Sequence, residues 1–295
     1  MIELKDLQVL LALSRHKHFA KAAQDCGMSQ PAFSMRIRNL EDRLGVSMVR
    51  RANRFQGLTE EGEMIVRRAR PILDDARALE QEISAARGKV AGALVLGVVP
   101  TATAYAARVI DRLHEAHPLV QARIEVTTSL IIQQRLYDGT IDAGVTYADS
   151  LGQDLVNITP LYDESYVLLA PDKLVATGAQ SITWEDAAML PLSLLIPEMQ
   201  NRRILDRIFA DLGLKPDIVS ESNGFMASMI LAREGSAATI LPRALIDALG
   251  PLDGTRAVPL AGSEHVKPIC LAALDRMPEL TTVGALREVV STMDR

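Results

Sequence analysis

The chain has 295 residues, of which 48% are hydrophobic and 23% charged, which suits a globular protein of two or three domains. No apolar run approaches the ~18 residues of a membrane-spanning helix, and the charged start MIELKDLQ predicts no signal peptide. The two distant cysteines, Cys26 and Cys270, argue against a disulfide framework and favour a cytoplasmic location.

The net charge of −5 is unevenly distributed along the chain. Residues 1–60 hold ten Lys and Arg against six Asp and Glu, whereas the other 235 residues hold 22 against 31. A basic segment on an acidic body is a common layout in proteins that bind nucleic acid.

The first 45 residues predict three short helices. Apolar residues recur at helical spacing over 3–14 and again over 19–26, where Gly27 ends the second helix. Ser29 is a good N-cap for a third helix, and Pro31 is tolerated in its first turn. Two helices joined by a tight glycine turn indicate a helix-turn-helix.

The third helix has two distinct faces. Its apolar stripe is formed by Phe33, Ile37, Leu40 and Leu44. Its other face, near the N-terminus, carries Gln30, Pro31, Ser34, Met35 and Arg38. Gln, Ser and Arg are side chains that contact base edges or phosphates, and a recognition helix uses mainly its N-terminal residues. A plain solvated helix face is the alternative interpretation.

A short basic segment and a long helix follow. Arg50, Arg51 and Arg54 cluster near Gly57, as in the wing of a winged helix, where basic side chains hold backbone phosphates. Thr59 then resembles the N-cap of a helix with three glutamates in its first turn.

Heptad spacing in this helix predicts a coiled-coil seam made of Ile65, Ala69, Ile72, Ala76, Leu79, Ile83 and Ala86. Such a seam needs a partner helix, most simply from a second copy of the chain. Pro71 lies beside the seam and predicts a kink. The segment RGKVAG, 87–92, marks a domain boundary.

From residue 93 onward, apolar strand-like runs alternate with helical patterns, which predicts an α/β body with a mostly parallel sheet. A second series of strands and helices begins near 163. We expect a strand near 266 and a helix over 279–292 to pack with the first series of strands and helices. Two α/β lobes joined by crossovers predict a cleft between them.

The N-terminal segment 4–62, which we call the head, resembles the DNA-binding domain of LysR-type transcriptional regulators. The resemblance rests on Phe19/Ala22/Ala23, Ser29 to Ser34, Leu40/Glu41/Leu44/Gly45 and Leu58/Thr59/Gly62, all in the family's order. The body fits the family by its organisation, with a linker helix and a two-lobed body like a periplasmic binding protein. The resemblance therefore implies a transcription regulator that binds duplex DNA and a small-molecule effector, as a homodimer through the linker helix and as a homotetramer.

This resemblance implies three segments. A winged helix-turn-helix occupies 1–60, a linker helix 61–90 and an effector-binding domain 91–295. Lobe I comprises 91–162 and 266–295, and lobe II comprises 163–265. The fold class is thus a helical head joined to an α/β body.

The resemblance also implies candidate binding residues. For DNA they are Ser29, Gln30, Pro31, Ser34, Met35, Arg38, Arg50, Arg51 and Arg54, with Met35 suited to a thymine methyl. For the effector they are Thr101, Thr103, Ser129, Thr146, Gln200, Asn201, Arg202, Asn223 and Phe225. Helix N-termini with hydroxyl side chains favour a small anion, although simple N-capping explains each hydroxyl individually.

Several other signals point to structure rather than chemistry. His114 and His117 have metal-ligand spacing, but no further ligand completes a site, and we expect neither a metal nor a cofactor. Asp163 and Glu164 are expected in a solvated turn. Without a catalytic motif, an α/β enzyme is disfavoured. A small-molecule binding protein whose head contacts other proteins remains the main alternative.

Overall fold

The computed structural model describes residues 1–51, 55–152, 156–176, 178–261 and 266–293. The chain divides into two compact units, unit 1 over Met1–Ala86 and unit 2 over Arg87–Arg295. Within the described ranges, no helix is both long and apolar enough to cross a membrane.

Unit 1 is a helical head with a small hairpin. In chain order its elements are α1 Leu4–His16, α2 Phe19–Asp25, α3 Gln30–Leu44, β1 Val49–Arg51, β2 Phe55–Leu58 and α4 Glu60–Ala86. The strands pair antiparallel, with Val49 opposite Leu58 and Arg51 opposite Phe55. The three short helices and the long helix predicted from sequence are present, and the basic segment that resembles a wing includes two paired strands.

The core of unit 1 contains the apolar stripe of α3. Phe33, Ile37 and Leu40 are buried, and Phe33 packs edge-to-face on Phe19 with ring centroids 6.2 Å apart. The prediction that Leu44 completes this stripe is wrong, because its side chain is 38% exposed. Leu44 is the last residue of the helix, and Gly45 turns the chain away with a left-handed φ of 68°.

Helix α4 continues through Pro71 for 27 residues. Ala69 is buried, and Ile65 packs against the core of unit 1, so the N-terminal end of the predicted seam is used within the chain. Further along, Ile72, Leu79 and Ile83 are 47%, 57% and 50% exposed. The helix therefore presents an apolar stripe that unit 1 does not cover.

Unit 2 contains a five-stranded sheet that forms its first lobe. Its strands are β3 Ala91–Val98, β4 Leu119–Val126, β5 Ala143–Tyr147, β6 Val156–Glu164 and β12 Lys267–Leu274, in the spatial order β4-β3-β5-β12-β6. Strands β3, β4 and β5 are parallel, as predicted. Strand β12 runs antiparallel to both β5 and β6, so the sheet is mixed.

Strand β6 does not follow from the sequence pattern. Its sequence VNITPLYDE has no continuous apolar run, and Pro160 interrupts it. Proline is tolerated there because β6 lies at the edge of the sheet. At its end, the chain leaves this sheet and enters the sheets of the second lobe.

The second lobe holds two smaller sheets. Their strands are β7 Tyr166–Pro171, β8 Pro191–Leu195, β9 Asp217–Ser222, β10 Thr239–Pro242 and β11 Thr255–Pro259. Strand β7 lies between β10 and β11 and is antiparallel to both, whereas β8 and β9 are parallel. A bridge between Leu192 and Ala238 connects the two sheets.

Seven helices of the described part of unit 2 cover these sheets. They are α5 Thr103–Ala116, α6 Ser129–Tyr137, α7 Trp184–Ala188, α8 Gln200–Asp211, α9 Phe225–Arg233, α10 Arg243–Leu249 and α11 Thr281–Thr292. Helix α6 lies very close to the sheet, since a Cβ on Gly97 or Gly144 would meet Ile132. Helix α11 packs on α5 and β3, so the end of the chain returns to the first lobe.

Candidate DNA-binding and effector sites

The N-terminus of α3 is capped and exposed. Ser29 Oγ accepts a hydrogen bond from the Ala32 amide at 3.4 Å, which satisfies one of the unpaired amides of the first turn. Among the outward residues, Gln30, Pro31, Met35 and Arg38 are exposed, and Ser34 is half-buried. The exposed fraction of Met35 reaches 61%, which is high for an apolar side chain.

The arginines of α3 differ in what they contact. Arg36 binds Asp6 at 2.7 Å and Glu3 at 2.6 Å, and Arg43 pairs with the same two carboxylates. Asp6 is buried, and these pairs hold α1 against α3. In the described residues Arg38 makes no ion pair. The chain therefore uses two arginines to fix the helix and leaves Arg38 available for a ligand.

The hairpin is attached to α3 through Glu41. Its Oε1 accepts hydrogen bonds from the amides of Met48 at 2.8 Å and Val49 at 3.2 Å. Arg50 lies on β1 and is exposed. The side chain of Arg51 and all of Arg54 lie outside the described residues, so their predicted phosphate contacts stay predictions.

Thr59 and Gly62 join the hairpin to α4. Thr59 Oγ1 donates to the Ser47 carbonyl at 2.6 Å and accepts from the Gly62 amide at 3.1 Å. A Cβ at position 62 would collide with the Met48 carbonyl oxygen. The motif Leu-Thr-x-x-Gly thus has a physical cause, because the helix can start beside the hairpin only if residue 62 is glycine.

In unit 2, the predicted effector residues are not all brought together. Thr101 lies in a short 3-10 turn after β3, and its Oγ1 is 3.2 Å from the Tyr147 hydroxyl at the end of β5. Asn201 and Arg202 lie in the first turn of α8 and are buried. Of these three side chains, Thr101 lies beside a buried polar group that the sequence did not reveal, and Asn201 lies beside Tyr166, which contacts the same group.

That group is the carboxyl of Glu164. It lies at the centre of a set of side chains that we call the tyrosine–glutamate cluster, made of Thr101, Tyr147, Glu164, Tyr166 and Asn201. Glu164 Oε1 accepts hydrogen bonds from the hydroxyls of Tyr147 at 2.6 Å and Tyr166 at 2.9 Å. Glu164 is 1% exposed, and both Asp163 and Glu164 lie in β6, so the prediction of a solvated turn is wrong, although Asp163 is exposed. Tyr162, Glu164 and Tyr166 recur at every second residue, a signal that could have placed them together.

Burial dominates the acid–base properties of this cluster. Loss of solvation raises the pKa of Glu164 to about 7, although the hydroxyls of Tyr147, Thr101 and Tyr166 lower it in part. Burial next to the Glu164 carboxyl raises the pKa of Tyr147 and Tyr166 well above their usual range. The tyrosines therefore remain neutral donors at physiological pH, while Glu164 titrates near neutrality.

Arg202 is committed to other partners. Its guanidinium binds Asp206 at 2.7 Å, Glu221 at 2.5 Å and the Leu195 carbonyl at 2.8 Å. These charge-assisted bonds outweigh the cost of burial and raise the pKa of Arg202. The side chain ties α8 to β8 and β9, so its role as an effector ligand is not supported by the geometry.

The remaining predicted effector residues lie elsewhere. Thr103 Oγ1 donates to the Pro100 carbonyl at 2.8 Å, and Gln200 accepts hydrogen bonds from Arg203. Asn223 is exposed, whereas Phe225 is buried in an apolar cluster with Met199 and Met229. Phe225 is therefore part of the core of the second lobe.

Thr146 and Ser129 are buried hydroxyl residues outside the cluster. Thr146 lies within β5 rather than after it, and successive strand residues point to opposite faces, so it is turned away from Tyr147. Ser129 opens α6, but the N-cap is Thr128, whose Oγ1 accepts from the Ile131 amide at 3.3 Å. In the described structure neither the Thr146 nor the Ser129 hydroxyl has a hydrogen-bond partner.

The two cysteines belong to different units. Cys270 is 1% exposed in β12, and burial raises the pKa of its thiol to about 12. A thiol with this pKa is protonated at neutral pH and is a poor nucleophile. Cys26 is half-buried at the end of α2, and burial also raises its pKa.

The sequence matches two protein-family models, which together span nearly all of the chain. Residues 4–63 match "Bacterial regulatory helix-turn-helix protein, lysR family", and residues 87–294 match "LysR substrate binding domain". These ranges correspond closely to the helical head and to unit 2.

Curated relatives are transcription regulators rather than enzymes. The HTH-type transcriptional regulator AlsR of Bacillus subtilis (strain 168) is 29% identical over 245 residues, which are 82% of this chain and 80% of that protein. The hydrogen peroxide-inducible genes activator of Dickeya chrysanthemi is 31% identical over 164 residues, which are 55% of this chain and 53% of that protein.

Solved structures share the whole fold. A full-length OxyR variant from Pseudomonas aeruginosa superposes with a TM-score of 0.75 at 24% identity, covering 100% of this chain and 96% of that one. Full-length CbnR complexed with its target DNA gives a TM-score of 0.65 at 20% identity, covering 98% and 99%.

Proposed function

The chain belongs to the LysR family of DNA-binding transcription regulators with an effector-binding domain, and we propose that it reads a specific duplex through the N-terminal face of α3. One observation carries this proposal. Gln30, Met35 and Arg38 are exposed on a helix whose other arginines are committed to Glu3 and Asp6.

Each residue of this face has a role suited to its chemistry. Gln30 can pair with adenine through two hydrogen bonds, and Arg38 can bind guanine or a phosphate. Met35 offers an apolar contact to a thymine methyl, while Ser29, Pro31 and Ser34 approach the backbone or base edges. Arg50, with Arg51 and Arg54 beside it in sequence, holds phosphates at the hairpin.

The test is the salt dependence of binding to a random-sequence duplex, measured by fluorescence anisotropy. Affinity for DNA falls with salt because phosphate contacts release counterions. Arg50→Ala should weaken binding and reduce the salt slope by about 1, the loss of one phosphate contact. Arg207→Ala, which removes an exposed arginine of α8, is the matched control and should change neither.

The outcome also separates the two functions that the sequence left open. Binding that weakens with salt and depends on Arg50 supports a DNA-binding head. A head that only contacts other proteins would show no such dependence, and equal binding by Arg50→Ala and Arg207→Ala would contradict the proposed phosphate contact of the hairpin.

We also propose the functional division expected from the sequence. The winged helix-turn-helix covers 1–60, the linker helix 61–90 and the effector-binding domain 91–295. The five-stranded sheet supports lobe I, 91–162 with 266–295, and the smaller sheets support lobe II, 163–265. As a regulator that acts on DNA, the protein is expected in the cytoplasm.

Assembly follows from the exposed stripe of α4. Ile72, Leu79 and Ile83 continue the heptad spacing and lie uncovered on unit 1. A second copy of the same helix would bury them symmetrically, which favours a homodimer. Pairing of two such dimers would give the homotetramer that the family resemblance implies.

The effector is proposed to bind where the two lobes meet, at the tyrosine–glutamate cluster. Tyr147 belongs to the sheet of lobe I and Tyr166 to a sheet of lobe II, and both donate to Glu164. A ligand that binds one arrangement of the two lobes more tightly than another increases the population of that arrangement. Effector binding would in this way be coupled to DNA binding by the heads.

A further inference from the structure

Glu164 is a buried acid with half of its hydrogen-bonding capacity unused. Both tyrosine hydroxyls donate to Oε1, and Oε2 has no hydrogen-bond partner in the described part of the chain. The Oε2 atom is also shielded from water. A buried carboxylate oxygen without a donor is costly, so a partner for Oε2 is expected.

The neighbouring cations do not supply that partner. Lys267 lies directly opposite Glu164 in the β6–β12 register, but its Nζ is 3.3 Å from Asp149. Arg202 binds Asp206 and Glu221. Arg108 lies over the ring of Tyr105, 5.8 Å from its centroid. Within the described ranges no Lys, Arg or His forms an ion pair with Glu164.

Asn201 adds unused hydrogen-bonding groups on the side of lobe II. It is 2% exposed, and its Oδ1 has no hydrogen-bond donor in the structure as described. It lies near enough to the Tyr166 hydroxyl to lower the pKa of that group. The Tyr162 hydroxyl, on the same strand face as Glu164, is likewise without a hydrogen-bond partner.

These groups define a complementary ligand. Oε2 of Glu164, Oδ1 of Asn201 and the Tyr162 hydroxyl can each accept a hydrogen bond, and the site carries an acid without a counter-ion. A primary ammonium has three N–H donors and one positive charge. It would satisfy the acceptors and compensate the buried carboxylate at once, which neither an anion nor an apolar group can do.

We propose that the effector carries a primary ammonium group that pairs with Glu164 and Asn201. This inference rests on the proposed function of the cluster as an effector site. It replaces the small anion expected from the sequence, because the only arginine among the predicted effector residues is occupied and the centre of the cluster is an acid.

The ionisation of Glu164 adds a pH signature. The groups beside it are Tyr147, Tyr162, Tyr166 and Thr101, with Asn201 next to Tyr166, and the raised pKa of each tyrosine keeps it neutral. Ammonium binding needs the carboxylate, whose pKa is about 7. Below that pH, affinity should fall up to about tenfold per pH unit.

The experiment is thermal unfolding of the full chain with methylammonium, ethylammonium and 1,4-diaminobutane as chlorides, at constant ionic strength. Sodium chloride, sodium acetate and tetramethylammonium chloride are the comparison salts. At pH 8 we expect at least one primary amine to raise Tm by about 2 °C or more. The rise should shrink at pH 6.

The variants Glu164→Gln and Asn201→Ala should lose the response. Asp163→Asn is the matched control, since it removes the exposed carboxylate next to Glu164 and should respond like the wild type. Circular dichroism of each variant establishes that it folds. If Glu164→Gln fails to fold, Asn201→Ala and the pH dependence still decide the proposal.

Three results would overturn the ammonium assignment. They are a response to acetate instead of the amines, an equal response to tetramethylammonium, and no response to any amine. A response that survives in both Glu164→Gln and Asn201→Ala would overturn it as well. Duplex binding by the same preparation separates the two proposals, because DNA binding that stays intact while the amines fail leaves the regulator assignment standing.

Discussion

The Tyr147 hydroxyl donates a hydrogen bond to Glu164 Oε1 at 2.6 Å. Tyr147 is the last residue of β5, and Glu164 is the last residue of β6. Tyr166, the first residue of β7, donates to the same oxygen. One buried carboxyl thus connects the sheet of the first lobe with a sheet of the second.

This relationship predicts an unusual pH dependence of stability. The pKa of Glu164 is about 7 in the folded protein and 4.5 in the unfolded chain. Between these two pH values the folded state therefore binds a proton that the unfolded state has lost. The contribution of Glu164 to the free energy of unfolding is therefore fully present below pH 4.5 and is lost as pH rises to about 7. The loss is on the order of 3 kcal/mol.

Urea unfolding of the wild type and Glu164→Gln from pH 5 to 8 measures this contribution. The difference in free energy between the two proteins should change across that range in favour of the variant at high pH. A constant difference would show that Glu164 does not titrate in this window. Asp163→Asn serves again as the exposed control.

Asp6 should show the opposite pH dependence. Burial raises its pKa, but the Glu3 amide and the guanidiniums of Arg43 and Arg36 more than offset this and lower it. Its contribution is present above the unfolded pKa of 3.8 and is lost as pH falls through the lower folded value. Asp6→Asn should destabilise unit 1 by about 1.5–3 kcal/mol at neutral pH.

Chemical unfolding followed by circular dichroism measures the effect of Asp6→Asn. Asp25→Asn removes a carboxylate whose ion pair with Arg15 is exposed, and it should cost less than about 1 kcal/mol. Equal losses for the two variants would mean that burial of Asp6 adds nothing to its ion pairs.

Gly62→Ala should weaken the connection between the hairpin and α4. The new Cβ would collide with the Met48 carbonyl, and backbone cannot move aside as a flexible side chain can. We expect a loss of about 1–3 kcal/mol in stability together with weaker duplex binding. Glu63→Ala changes the next, exposed position and should be close to neutral. A neutral Gly62→Ala would contradict the close packing.

Leu79→Glu should weaken self-association. Leu79 is 57% exposed on unit 1, and burial of a leucine contributes about 1.5–3 kcal/mol. Sedimentation equilibrium should therefore show at least about a tenfold increase in the dimer dissociation constant. Glu82→Ala, an exposed change on the same helix, is the control. Unchanged association of Leu79→Glu would place the dimer interface elsewhere.

How much the sequence could predict depended on the kind of signal. Helix periodicity and caps located α1 to α4, and apolar runs located β3, β4 and β5. Strand β6 was missed because Pro160 and its polar residues conceal an edge strand. Contacts between elements that are distant in sequence are set by tertiary packing. Local patterns therefore could not show that Glu164 is buried or that Phe225 belongs to the core.

The same reasoning applies to the proposed DNA-binding face of α3. Ser29, Gln30 and Arg38 were predicted by local rules because helix capping and side-chain spacing are properties of a single helix. The ion pairs of Arg36 and Arg43 join residues thirty or more positions apart, so the sequence alone could not distinguish these arginines from Arg38.

The central claim, sequence-specific reading of DNA by α3, is tested most directly by selection from a random duplex pool. The wild type should enrich one motif, and Gln30→Ala or Arg38→Ala should relax it at defined base positions, by about 1–3 kcal/mol per contact. Arg50→Ala should keep the motif and weaken binding uniformly. Failure to enrich any motif, or an identical motif in Gln30→Ala and Arg38→Ala, would contradict the account.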